Sequence, residues 1–266
     1  MDVKFDHLVH FLKNDPIEAV KKWAGLGYHT VIGGSHQYWG SMNSLLYLNS
    51  SYIEYLSIED ADKASHCDNP LISQLVSDIK KGEGFSQICF RTANLEKVKA
   101  SLEEKGYTTF PIFNGSRKRK DGITIKWKML FINENSELPS PFFIEWEQSD
   151  EERAKELKEL KMVDPSLAEN VIQSIFFAVN DCELAARKWA RMFNLHPMAP
   201  PAIDSSFLSK AASVRIADTE IVFCEPIKNE GIVYDILNSR GERPFLIQFN
   251  KRLFNEPISL FSSFYY

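Results

Sequence analysis

Cysteine is sparse in this chain, and what there is lies scattered. Cys67, Cys89, Cys182 and Cys224 form no C-x-x-C pair. No compact disulfide framework can be drawn from such spacing, so a reducing compartment, the cytoplasm, is expected. Positive charge is also short. The net charge is −5 and the pI is near 5.8, so no strong positive field is available to hold phosphates, and nucleic acid is not an expected partner. Long apolar runs are missing, which argues against a membrane span. The opening MDVKFDHLVHFL is too short and too charged to read as a secretory signal. What the chain does have is 266 residues, 44% of them hydrophobic, enough to bury a sizeable core in one large or two ordinary domains.

The stretch from Val3 to Ile58 sets the pattern. Phe5–Leu12 alternates like a strand, with Phe5, His7, Val9 and Phe11 on one face and Asp6, Leu8, His10 and Leu12 on the other. Asn14-Asp15-Pro16 opens a helix expected over Asp15–Gly27, with Gly27 as its C-terminal cap. A second strand, Val31–His36, runs into a Gly-rich turn. A hairpin follows, with Asn43–Leu48 and Ser51–Ile58 folding about Asn49-Ser50. The unit is β-α-β-β-β. Residues 59–83 read as a polar connector with a helix over Pro70–Lys80.

The pattern then returns. A shift of 80 aligns His7 with Gln87 and Asn14 with Asn94, and a shift of 79 aligns Gly27-Tyr28 with Gly106-Tyr107. Strands are expected at Thr108–Phe113, Ile123–Ile132 and Phe142–Glu147, with a basic loop, Arg117–Lys120, between the first two. Residues 149–169 read as a charged helical linker. A third unit opens at Val171 and aligns Gln173 with His7 and Asn194-Leu195-His196 with Gly27-Tyr28-His29. From Arg243 too few residues remain for a full fourth unit. The expected fold class is α+β: tandem βαβββ units forming a curved mixed sheet with a concave cleft, helices on the outer face. The expected organisation is 1–148 holding two units (3–58 and 84–147), a linker at 149–169, and 170–266 holding the third unit and a truncated fourth.

These residues carry a resemblance. Asp6-His7 in the opening strand, Gly33-Gly34-Ser35-His36 with Trp39-Gly40, Asn43–Leu48, Tyr52–Leu56 and Pro141–Trp146 together resemble the vicinal-oxygen-chelate superfamily, and within it the glyoxalase-like members. The resemblance covers residues 3–147 well and the third unit only in its opening strand and helix. It implies one ligand from the first strand of each unit and one Glu from the last. Carried over, this gives His7, Glu54, Gln87 and Glu145 as ligands of a divalent metal (Zn, Ni, Fe or Mn). Such an ion would stabilise an enediolate while Glu145 moves the proton.

Other readings of the same residues stay open. His7 could be a hydrogen-bonded core residue, and Gln87 could bond within the cleft. Arg91 suits a substrate carboxylate or an ion pair to Glu145. His36 and Trp39 suit a substrate-binding pocket or simple packing. His10 reads as packing. Arg117–Lys120 reads as solvated, with an anion clamp as the lesser alternative. Cys89 has nothing nearby to activate it. In the third unit Phe223-Cys224 stands where Glu54 would be, so that unit is left to stabilise the first pair, to form a homodimer or to hold an apolar ligand. The expected function is a glyoxalase-like, metal-dependent isomerase or lyase acting on a small oxygenated metabolite. A ring-cleaving dioxygenase fits less well, since its implied ligand set has a second His where Gln87 stands. The competing classes are a small-molecule or drug-sequestering protein that does not turn its ligand over, and a scaffold with a degenerate site.

Overall fold

The computed structural model describes residues 1–118, 122–195 and 199–266. The chain is an α+β protein built from βαβββ units. The first unit is β1 (Lys4–Phe11), α1 (Ile17–Gly25), β2 (Val31–His36), β3 (Ser41–Tyr47) and β4 (Tyr52–Ile58). Two short helices follow, α2 (Ala61–His66) and α3 (Pro70–Asp78). The second unit is β5 (Gly84–Arg91), α4 (Leu95–Glu104), β6 (Phe113–Lys118), β7 (Thr124–Leu130) and β8 (Phe142–Trp146). After α5 (Asp150–Glu159) comes a third unit, β9 (Ile172–Ala178), α6 (Cys182–Phe193), β10 (Ala202–Asp204), β11 (Ser209–Ile216) and β12 (Thr219–Pro226). Then come α7 (Ile232–Arg240), β13 (Pro244–Phe249), β14 (Ile258–Leu260) and β15 (Ser263–Tyr265). Among the described residues no helix is long and apolar enough to cross a membrane.

The repeat is visible in local chemistry. Asp15 Oδ1 accepts the Ile17 amide at 2.8 Å to start α1, and Asn94 Oδ1 accepts the Lys97 amide at 2.9 Å to start α4. Both helices are followed by a glycine in the left-handed region, Gly27 at φ 88° and Gly106 at φ 85°. The helix expected over Asp15–Gly27 is shorter at both ends. The strand expected at Thr108–Phe113 shrinks to a single bridge, Thr109 to Ile132, because Pro111 brings no amide to a ladder. The strand starts instead at Phe113 and takes in Arg117 and Lys118, which had read as loop. Arg119, Lys120 and His196 lie outside the described residues.

Two mixed sheets result. The first has the order β2-β3-β4-β1-β5-β8-β7-β6 and the second β10-β11-β12-β9-β13-β15-β14. In each, two antiparallel central strands (β1 and β5, β9 and β13) carry parallel partners (β4 and β8, β12 and β15). The first sheet curls until its edges approach, with Gly33 of β2 lying against Arg117 of β6. The interior of this near-barrel holds Val9, Leu56, Trp127, Met129, Phe142 and Ile144, closed on one side by Leu71, Ile72 and Leu75 of α3. The hollow of the second sheet is filled by Val233 and Ile236 of α7 against Phe176 and Phe245. A larger core on the outer faces is continuous across both sheets, from Leu8, Trp23 and Tyr55 through Phe90 and Phe143 to Trp189 and Phe223.

One polar thread crosses this shared core. His10 Nε2 lies 2.9 Å from the Phe261 carbonyl, which can only accept, so Nε2 carries the proton. Nδ1 then accepts from the Tyr265 hydroxyl at 2.7 Å. Tyr265 accepts from Tyr55 at 3.0 Å, and Tyr55 from the Trp23 indole at 2.6 Å. His10 packs on the helix side with Leu8 and Leu12, as its place in the strand predicts, and it also ties the N-terminal unit to β15.

Candidate active site

The site is made by an irregularity in β1. Across from β5, Phe5 pairs with Phe90 and His7 with Cys89, leaving Asp6 as an extra residue. Such a bulge re-aims side chains that alternation would send apart. Asp6 and His7, expected on opposite faces, instead meet: Asp6 Oδ1 lies 2.7 Å from His7 Nδ1. Asp6 is fully buried and also accepts from the Trp146 indole (3.1 Å) and from Arg153 (3.2 Å). Burial would raise its pKa, but the Arg153 charge and the His7 bond reverse this and hold the carboxyl well below the usual range. An ionised Asp6 only accepts, so we assign the Nδ1 proton to His7 and leave Nε2 as the working nitrogen.

Nε2 faces Glu54 Oε2 at 3.5 Å. Glu54 Oε1 accepts from Asn43 Nδ2 at 2.6 Å, and Asn43 Oδ1 accepts from Arg117 at 3.1 Å. A continuous polar line therefore runs through the barrel: Arg117, Asn43, Glu54, His7, Asp6, Arg153. Tyr52 stacks on the His7 ring at 4.5 Å, and Phe142 meets it edge-on at 5.5 Å. A cavity of about 50 Å³ lies along this line, bounded also by His36, Trp39, Trp127 and Trp146. His36 bonds Ser41 Oγ at 3.0 Å, and burial lowers its pKa to about 4, so the ring is neutral. Half-buried Trp39 lies 5.6 Å from His36, ring to ring.

Of the four expected ligands, His7 and Glu54 come together and two do not. Glu145 faces the helix side: its carboxylate accepts the Leu95 amide at the start of α4 (2.8 Å) and pairs with Lys128 (3.1 Å). Strand parity is the reason. Val9 pairs with Glu54 in the first unit, and its repeat counterpart Cys89 pairs with Phe142 in the second. Phe142 thus holds the place of Glu54, and Glu145, three residues on, points the other way. Gln87 does face inward, but its amide bonds Gln74 of α3 beside a different cavity. Arg91 is engaged by Asp150 (2.8 Å) and by the Phe5 and Ser50 carbonyls. It serves neither as a free cleft cation nor as a partner of Glu145.

The donor set does not fit the four-ligand ion that the resemblance implies. Two of four ligands are elsewhere. Asp6 is already paired with Arg153, which leaves only Glu54 on this line to face a divalent ion, with the Arg117 guanidinium on the same line to repel it. Asp6, His7 and Cys89 do lie within 4.8 Å of one another. Yet Asp6 is committed to three donors, and burial raises the Cys89 pKa well above the ordinary thiol value, keeping it protonated. Asp6, Asn43 and Arg153 were not singled out as site residues from the sequence, and Arg117 only within a basic loop for which an anion clamp was the lesser alternative. Of the first three only Asp6 had a local signal, an acid beside a histidine within an apolar strand.

Residues 5–193 match the glyoxalase-like domain family. The chain belongs to that family and has the vicinal-oxygen-chelate fold, with its paired units. A hypothetical protein from Staphylococcus aureus is similar over 99% of this chain and 98% of its own, with 20% identity and a TM-score of 0.76. A triple mutant of 4-hydroxymandelate synthase from Streptomyces coelicolor is similar over 93% of this chain and 70% of its own, with 9% identity and a TM-score of 0.59. Methylmalonyl-CoA epimerase from Mycobacterium tuberculosis is similar over 56% of this chain and 91% of its own, with 17% identity and a TM-score of 0.38. No curated protein matches the chain.

Proposed function

We propose that this chain is a glyoxalase-like enzyme that moves a proton at a small oxygenated metabolite, isomerase or lyase chemistry carried out by Glu54 and His7. The observation that carries the reading is the contact of His7 Nε2 with Glu54 Oε2, 3.5 Å apart on the wall of a cavity. That gap is too slack for a good hydrogen bond and suits two atoms that act on a third party. Glu54 takes a proton from the carbon beside a carbonyl. Glu54 passes that proton to the free His7 Nε2, which delivers it to the carbonyl oxygen where charge has developed, so that an enediol forms. Reversal at the neighbouring carbon isomerises the compound; loss of a leaving group makes the enzyme a lyase. Asp6 is a positioning residue: it fixes the ring's tautomer and angle. Tyr52 and Phe142 hold the ring by its face and edge and keep water away. The cavity admits about four waters, so the reacting part of the substrate is correspondingly small. The carboxylate that moves the proton is thus assigned to Glu54 in place of Glu145.

The test is deuterium incorporation from solvent into short hydroxycarbonyl compounds and the hemithioacetal of methylglyoxal, followed by proton NMR. His7→Asn and Glu54→Gln are each expected to slow exchange by about 10²–10⁴-fold. Binding without exchange across that panel would favour the sequestering protein, the alternative with the same pocket. A divalent ion that co-purifies, and whose removal by chelator stops exchange, would restore the metal-dependent reading in place of this one.

A further inference from the structure

Arg117 has no part in the proton transfer, yet the fold makes room for it at some expense. The residue is 9% exposed. One Nη donates to Asn43, while its Nε is buried with no acceptor. Among the described residues no carboxylate comes within ion-pair distance of it. Arg91 pairs with Asp150, Arg153 with Asp6 and Arg243 with Asp78, whereas Arg240 shares the state of Arg117: it bonds the Phe85 carbonyl and its Nη1 is buried with no acceptor. A buried cation without its own anion is costly, and a neutral residue at 117 would avoid that cost.

The neighbouring strand is cut to admit it. A Cβ on residue 33 would lie 2.3 Å from an Arg117 Nη and 1.9 Å from Asn43 Oδ1. Only glycine leaves that slot open, and β2 slips its register there, between Ile32 and Gly34. Arg117 lines the same cavity as His7 and Glu54, and Asn43 braces it against Glu54. Three features therefore converge: an unengaged buried N–H, a lost side chain that makes space for the head, and a cavity shared with the reacting pair.

We propose that Arg117 is the recognition group for a carboxylate, and that the substrate class is a short-chain oxo- or hydroxycarboxylate. This rests on the proton-transfer reading only in assigning both groups to one cavity. The carboxylate takes the free guanidinium edge, and the adjoining carbon and oxygen reach Glu54 and His7. The bound anion supplies the charge that Arg117 lacks in the free protein, so binding is expected to stabilise the fold.

The experiment uses two matched pairs of probes, pyruvate against methylglyoxal and lactate against hydroxyacetone. Thermal shift and calorimetric titration are run on the wild-type protein, His7→Asn, Arg117→Gln and Arg117→Lys. Pyruvate or lactate should raise the melting temperature of the wild type and of His7→Asn, with the neutral partners at least tenfold weaker. Arg117→Gln should lose carboxylate affinity by tenfold or more, and Arg117→Lys should keep part of it. Should the glutamine variant fail to fold, the lysine variant still reads the effect as a partial loss. Equal binding of neutral and anionic partners overturns the proposal. So does pyruvate affinity in a folded Arg117→Gln within twofold of wild type, absence of carboxylate binding at millimolar concentration, or equal stabilisation by chloride or inorganic phosphate. Exchange of neutral hydroxycarbonyls without any carboxylate binding would sink this inference and leave the proton-transfer reading standing.

Discussion

At the scale of single residues, Asp6 is the most constrained group of the site. It is a buried carboxylate that accepts from a ring nitrogen, an indole and a guanidinium, with a second guanidinium, Arg91, at 3.8 Å. Asp6→Asn is nearly isosteric, but its amide can accept on one side only and carries no charge. Arg153 would be left without its counter-ion in the barrel, a loss expected to destabilise the protein by about 3–5 kcal/mol. His7 would also lose the acceptor that fixes its tautomer, so turnover should fall by about 10²-fold or more in the fraction that stays folded. His7→Asn separates the two effects. It is expected to slow turnover as much while costing only about 1–2 kcal/mol, since Arg153 keeps Asp6. Urea unfolding of both variants, set beside their rates, checks this. Equal stability losses would mean that Asp6 does not act as the hub of the network.

At the scale of elements, the repeat was legible because it is written in end signals and apolar spacing. Asn14-Asp15-Pro16 and Asn94 start equivalent helices, and Gly27-Tyr28 and Gly106-Tyr107 close them. The pairing of units follows from the same spacing. Side-chain direction was less legible, because it depends on parity and on bulges that one residue can reverse. Glu145 lies in a strand correctly located by sequence, yet a one-residue difference in phase turned it outward. Asp6 was sent to the wrong face because the bulge beside it leaves no trace in apolar alternation. Arg117 read as loop because charge runs look the same on a strand and on a turn. Arg153 sits on α5, in a stretch that reads as a charged linker, and nothing local says that one of its charges enters the barrel. The three-residue strand β15 shows how much a small element can carry. Tyr265→Phe would leave His10 Nδ1 without its donor and the Tyr55 hydroxyl without its acceptor, both fully buried. The expected loss is about 2–4 kcal/mol, measurable as a lower urea midpoint at unchanged slope. A change below about 0.5 kcal/mol would mean that the thread is not needed to hold β15.

At the scale of the whole molecule, the two sheets share one core, and the protein's interior contains titratable groups that folding keeps neutral. Burial lowers the pKa of His10 to about 3 and that of His36 to about 4, against 6.5 for the free side chain. The unfolded chain therefore begins to bind protons at these positions near pH 6.5, while the folded chain does not until near pH 3–4. Stability must fall as pH falls through that window and recover as pH rises above 6.5. Each histidine should contribute about 2–3 kcal/mol of loss between pH 6.5 and pH 4.5, from about 1.4 kcal/mol per pH unit. Asp6 and Asp78, whose pKa values are lowered by their arginine partners in spite of burial, add a second loss only below the ordinary carboxylate range. Acid unfolding should thus start well above pH 4 and have two stages. Urea midpoints at pH 7.5, 6.5, 5.5 and 4.5 test this in the wild type and in His10→Phe and His36→Gln, each variant flattening its own share of the upper stage. His10 sits where β1 meets the last strand, so its share should appear in the unfolding of both halves together. Its ring, near the start of the chain, bonds two groups near the end of it, and a proton forced onto Nδ1 would expel the Tyr265 hydroxyl from its acceptor and loosen β15 from the first unit. A stability profile level from pH 7.5 to pH 5 would show that these rings take up protons without disturbing the core.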